Sequence, residues 1–278
     1  MAIQYAGGTN VNTTYTADGT AQSLASAIED AMNTAGWVTD SGHHSGTIVL
    51  HSATTPGGHR ISLRIKTGGD VTLELCNAAL NVVGQMNYLD FTAGRVWRFL
   101  MNKYQCFIFV DGTNAQQGKI YAGWGTLCIP AYMNVPAGEV GWLNSDYNGG
   151  PYGILSFRNG LSTNQTMMVT TIWLGTVYNS SANNSGNTHG HSLLRMCRYN
   201  CTDEGYREVF YPDGSSFVWD AIFISQTQSE SDRVRGWLWD AVCINLPIAA
   251  GDSIVTVDGK RFQVVGYGSP ALAVYAPV

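Results

Sequence analysis

The side chains best spaced for chemistry in this chain are histidines and thiols. His189 and His191 stand one residue apart and are followed by Cys197 and Cys201, an H-x-H…C-x3-C series. Two histidines spaced by one residue can face the same way on an extended segment, and imidazole with thiolate is a zinc donor set. The spacing nevertheless matches none of the paired C-x2-C arms of common zinc sites, and the simpler reading is a loop followed by a strand. A second group, His43, His44, His51 and His59, begins in an Asp-Ser-Gly-His-His-Ser-Gly turn. Adjacent histidines there do not readily reach one ion, so neither group is read as a metal centre.

Glycoside hydrolysis needs two carboxyl groups about 5 to 10 Å apart across an open cleft. Asp90, Glu139, Asp146, Asp203, Glu204, Asp220 and Asp240 are the acids that could contribute, and nothing in their local sequence singles out a pair. A G-x-S-x-G elbow, a P-loop and a dinucleotide fingerprint are all missing from the sequence. The Gly-Gly pairs at 57–58, 68–69 and 149–150 fall between strand-like runs and read as turns. The expectation is therefore no catalytic site, no cofactor and no metal. Exposed aromatic rings can instead stack on sugars or bury against a neighbouring subunit. Trp124, Trp142, Tyr147 and Tyr152, in a segment rich in amides, are the candidates for either contact.

The elements that position these residues begin with one helix. From Thr20 to Ala35 apolar residues recur at Leu24, Ile28 and Met32, Asp18 or Thr20 can cap the first turn, and Gly36 stops it. Short apolar or alternating runs then predict strands at 47–51, 60–66, 70–75, 96–101, 105–110, 119–122, 154–158 and 167–174. Asp258-Gly259 between two such runs predicts a β-hairpin with a type I′ turn. Residues 179–190 carry no large apolar side chain and read as an exposed loop. Phe217-Val-Trp219-Asp220-Ala221 and Trp237-Leu-Trp239-Asp240-Ala241 form a near-repeat. It predicts two neighbouring strands with both tryptophans on one face and both aspartates on the other.

Composition bounds the class. Charged residues make up 13% of 278, about half the roughly 25% usual for a soluble domain. Much of the surface must then be neutral or covered by other chains. The net charge of −5 and the absence of a long basic run argue against nucleic-acid binding. The start Met-Ala-Ile-Gln-Tyr has no signal-peptide pattern, and there is no long uncharged apolar run, so the expectation is synthesis in the cytoplasm and no membrane contact. The six cysteines are dispersed, four of them in apolar stretches, and are expected as buried reduced thiols.

Several phrases taken together carry a resemblance: the helix ending Ala35-Gly36-Trp37, the run Ser45-Gly-Thr-Ile-Val-Leu-His-Ser-Ala-Thr-Thr-Pro56, then Val96-Trp97-Arg98, Lys103-Tyr104-Gln105-Cys106, and at the C-terminus Trp239-Asp240-Ala241 with Asp258-Gly259. The chain resembles virion proteins encoded among the tail genes of tailed double-stranded DNA bacteriophages. That resemblance implies a structural subunit of the tail, baseplate or neck, present in several copies as a homo-oligomer and located in the virion with other phage virion proteins as partners. The alternatives are a host-surface glycan-binding module and, behind it, a tail-associated glycan hydrolase. The predicted fold is mainly β, an antiparallel β-sandwich or barrel-like domain with one N-terminal α-helix. The expected division is an extended arm at 1–17, with Ile3–Tyr15 reaching a neighbouring subunit, a helix-plus-β domain at 18–178, the loop at 179–190, and a C-terminal β subdomain at 191–278.

Overall fold

Helix α1 (Ala21–Ala35) starts and stops where the sequence predicts. Thr20 has an extended backbone and its Oγ1 accepts from Ser23 N at 3.3 Å, while Asp18 Oδ1 accepts from Thr20 N at 2.8 Å. Gly36, at φ 98°, ends the helix in the left-handed region that glycine enters freely. Leu24, Ile28 and Met32, four residues apart, share the buried side. A computed structural model describes residues 3–89, 91–111, 120–146, 167–174, 176–181, 217–227, 230–245, 254–265 and 271–278. Apart from α1 and two short 3-10 turns, the regular structure among them is β.

Twelve strands make one curled sheet. Its front half runs, in spatial order, β1 (Val11–Thr16), β7 (Val96–Asn102), β8 (Gln105–Asp111), β9 (Ile120–Gly125), β10 (Gly138–Asp146), β11 (Met167–Trp173) and β12 (Thr176–Ser181), all antiparallel. Its back half runs β2 (Val38–Thr39), β3 (Ile48–Thr54), β4 (His59–Thr67), β5 (Val71–Cys76) and β6 (Val82–Leu89), also antiparallel. The halves join where β10 runs parallel to β4 for two residues, Gly138 opposite His59 and Glu139 opposite Arg60.

Register decides which side chains meet, because residues paired across strands point to the same face. Trp97, Phe99, Met101, Cys106, Ile108, Trp124 and Leu143 share the face turned toward α1 and the back half. There they join Ile61, Leu63, Ile65, Leu73 and Leu75 in one core. At Gly141 an added Cβ would lie 2.8 Å from Ile61 Cγ1, which shows how closely the halves approach.

The opposite face of the front half carries Arg98, Leu100, Asn102, Gln105, Phe107, Phe109 and Trp142. Over it lies a five-stranded antiparallel sheet in the order β13 (Phe217–Thr227), β14 (Glu230–Asn245), β17 (Ala271–Tyr275), β16 (Lys260–Val265), β15 (Ile254–Val257). Arg98 Nη1 donates to Gln263 Oε1 at 3.1 Å, and Asn12 Nδ2 to Pro277 O at 2.8 Å, across this contact. Strand β8 is thus covered on both faces, which is why Cys106-Phe-Ile-Phe109 reads as a continuous apolar run rather than an alternating one.

The Asp258-Gly259 turn is as predicted: φ is 50° and 72°, and Val257 pairs with Lys260. Several expectations need correction. The N-terminal arm does not leave the chain: Val11–Thr16 forms β1, hydrogen-bonded to β7, and Ala6 is buried. Residues 179–181 continue β12 instead of opening the loop. Strands β2, β6, β10, β12 and β17 were not expected, and the predicted run at 154–158 lies outside the described residues. The near-repeat does form neighbouring strands, but Trp219 pairs with Cys243, and Trp239 falls in a bulge where Asp220 pairs with Val242 and Ile222 already pairs with Trp237.

Candidate functional site

Two of the four aromatic residues selected from the sequence, Trp124 and Trp142, do not lie on a surface. Trp124 is 0% and Trp142 1% exposed, and they lie on opposite faces of the front half of the large sheet. Trp142 packs on Phe107 at 5.8 Å between ring centroids. Gly123 makes room for both, since a Cβ there would sit 3.0 Å from each ring. These two rings are core, and as placed they can stack on no sugar and touch no neighbour. The reason is that the segments around them are strands of a sheet covered on both sides, not loops between strands. Tyr147 and Tyr152 lie outside the described residues, as do His189, His191, Cys197 and Cys201.

The first histidine group also separates. His43 and His44 are exposed, each beside a carboxylate: Nδ1 of His43 is 2.9 Å from Asp40 Oδ2, and Nε2 of His44 is 3.3 Å from Glu29 Oε1. His51 and His59 point inward from β3 and β4 and are buried. Burial, with a smaller contribution from His44, pushes the His51 pKa down to about 4, and burial lowers that of His59. Among the described residues no three metal-ligating side chains converge.

What the structure does assemble is a polar junction around Asp240, which the sequence placed on the hairpin face opposite the tryptophans. Asp240 is 1% exposed and has φ 48°, a left-handed value that aspartate tolerates better than most residues. Its Oδ2 accepts from Asn102 Nδ2 at 2.8 Å and Asn10 Nδ2 at 3.0 Å, and its Oδ1 accepts from Ala6 N at 3.2 Å. Its own N–H donates to Gln4 O at 2.7 Å. Burial raises its pKa, while the three donors and Lys260 pull it back.

Around this carboxylate the other groups lock the same three segments. Asn102 Oδ1 accepts from Tyr104 N and Gln105 N, each at 2.9 Å, which shapes the β7–β8 turn. Gln105 then bridges to β14 in both directions: its Nε2 donates to Trp239 O, and its Oε1 accepts from Trp239 N at 3.0 Å. Trp239 stacks obliquely on Tyr104 at 4.6 Å. Nearby, Cys128 and Trp237 exchange two backbone hydrogen bonds of 2.9 Å, and an added Cβ at Gly236 would come 2.7 Å from Cys128 O. At the rim Lys260 Nζ lies 3.5 Å from the Tyr5 ring centroid and 5.4 Å from that of Tyr275. Chemically the arrangement is a clamp: an acceptor-only carboxylate gathers the N-terminal segment, the tip of β7–β8 and the bulge of β14. Its signal in the sequence was a single Asp inside an apolar strand, which becomes legible only once the bulge is known.

The exposed surface offers a different arrangement. Arg60, Arg64 and Lys66 alternate along β4 and share the outer face of the back half, away from α1. Arg64 pairs through Nε with the buried Glu74 on β5, whereas Arg60 and Lys66 are exposed. Ser52, Ser62 and Thr72 lie between them by register. No protein-family model and no curated protein matches this sequence.

Proposed function

We propose that the chain is a structural component of a bacteriophage virion, in the tail, baseplate or neck, acting through contacts with other virion proteins and with copies of itself. The observation that carries the reading is a surface poor in charge, 13% charged residues overall, combined with open sheet edges. Among the described residues β1, β2, β6 and β12 each pair on one side only, as do β13 and β15 in the small sheet. Unpaired strand edges are templates for joining another chain, and an isolated protein ordinarily guards them with charge. The resemblance to tail-gene products supports the same reading, and the Asp240 clamp supplies the internal rigidity that a load-bearing subunit needs.

Mass spectrometry of particles purified from cells that produce the chain tests this directly. Stoichiometric presence in the particle fraction is the expected result, and absence from it refutes the proposal. The reading as a glycan-binding module loses Trp124 and Trp142, whose rings are inside.

A further inference from the structure

We propose that the outer face of β3, β4 and β5, around Arg60, Arg64 and Lys66, docks onto the acidic outer side of α1 in a second copy of this chain, head to tail. The inference rests on the assembly reading above and names its surfaces.

Charge is distributed unevenly along the sequence. Residues 1–59 contain no lysine or arginine and carry Asp18, Glu29, Asp30 and Asp40. The first three basic residues, Arg60, Arg64 and Lys66, all fall on one face because residues spaced by two along a strand point the same way. Two acidic residues stand beside them, Glu74 paired with Arg64 and the half-buried Glu139 opposite Arg60, so three positive charges meet two negative ones and the face keeps a small positive excess in a chain whose net charge is −5.

The two charged surfaces lie on opposite sides of the same layer. Thr67 Oγ1 donates to Gln22 Oε1 at 3.1 Å, which fixes α1 against the inner face of the back half, where Ile61, Leu63 and Ile65 are buried. The basic stripe is on the outer face, so it cannot be neutralised by the helix of its own chain. Asp18 and Asp30 are exposed on or beside α1, with Glu29 partly so. A complementary pair of patches pointing in different directions fits heterologous association, which generates a ring or a filament according to whether the rotation closes. At the margin of the basic face Val38, 63% exposed on the edge strand β2 and paired with Ser52, adds apolar area to the same surface.

The test is sedimentation velocity of the purified full chain at about 0.05 M and 0.5 M salt, since salt screens contacts between exposed charges. Self-association is expected at low salt and loss of it at high salt. Two charge-reversal variants follow, Arg60→Glu with Lys66→Glu, and Glu29→Lys with Asp30→Lys; Arg64 stays because it partners Glu74. Each is expected to weaken association by roughly tenfold or more. Mixing the two variants is expected to restore it, because the reversed face of one then meets the reversed helix of the other. Restoration also shows that both variants are folded. A wild-type chain that stays monomeric at low salt, or an oligomer that survives both reversals, overturns the inference. Neither result bears on the particle mass spectrometry, which reads the assembly proposal separately.

Discussion

Asn102 Nδ2 donates to Asp240 Oδ2 at 2.8 Å, joining the turn between β7 and β8 to the bulge of β14 across 138 residues of sequence. Each partner is held by others: Asn102 caps the turn through its Oδ1, and Asp240 also receives Asn10 and Ala6. Replacing Asp240 with Ala leaves three buried or half-buried donors without an acceptor. A buried polar group left unsatisfied costs about 1–3 kcal/mol, more when a charged partner is lost. We expect Asp240→Ala to lower stability in urea unfolding by about 3 kcal/mol. Limited proteolysis is expected to cut first within residues 3–10, because that segment loses its anchor; an unchanged cleavage pattern would show that the clamp does not hold it.

His51 gives a pH dependence with a definite sign. In the folded chain its pKa falls from 6.5 to about 4, so the unfolded chain binds a proton that the folded chain refuses. Stability contributed by neutral His51 is complete above pH 6.5 and is lost as pH falls toward 4, by about 3 kcal/mol over the window. Asp240 runs the other way. Its pKa is raised above 3.8, so its contribution is full below that value and declines as pH rises through the folded value. His51→Leu removes the first titration and also a ring nitrogen, Nε2, that has no hydrogen-bond partner. Denaturation curves at several pH values between 4 and 7 are expected to show a flatter profile for His51→Leu than for the wild type. Equal slopes would contradict the burial of His51.

The described thiols are expected to be unreactive in the folded state. Burial raises the pKa of Cys76 and of Cys128 to about 11, and that of Cys106 well above its ordinary value. Thiolate, the reactive form, is then scarce at neutral pH. Alkylation followed by peptide mapping is expected to leave Cys76, Cys106 and Cys128 unlabelled until denaturant is added. Rapid labelling of Cys106 in native buffer would be inconsistent with the two-sided cover on β8.

Trp142→Ala is expected to act on the fold first. Truncating a fully buried large aromatic residue costs about 3–5 kcal/mol. Gly125→Ala makes the complementary test, because a Cβ there would lie 2.6 Å from Tyr104 O and 2.6 Å from Gln105 Cβ, in the turn that carries the Asp240 clamp. Both variants are expected to melt at lower temperature by calorimetry. A Trp142→Ala protein with unchanged melting would return that ring to the surface.

Local chemistry made some elements readable from the sequence. Thr20, the four-residue spacing of Leu24, Ile28 and Met32, and Gly36 delimit α1, because capping and helical period act within a few residues. Asp258-Gly259 gives its hairpin because a type I′ turn needs two positive φ values in succession. The mainly β character followed from short apolar runs separated by turns. The Asp240 junction, the burial of Trp124 and Trp142, and the joining of β10 to β4 depended on tertiary structure. Each rests on contacts between segments far apart in sequence. The alternation that marks an exposed strand face vanishes once a second sheet covers it, and the register shift in β14 that sets Asp240 among its buried donors is written nowhere in the local sequence.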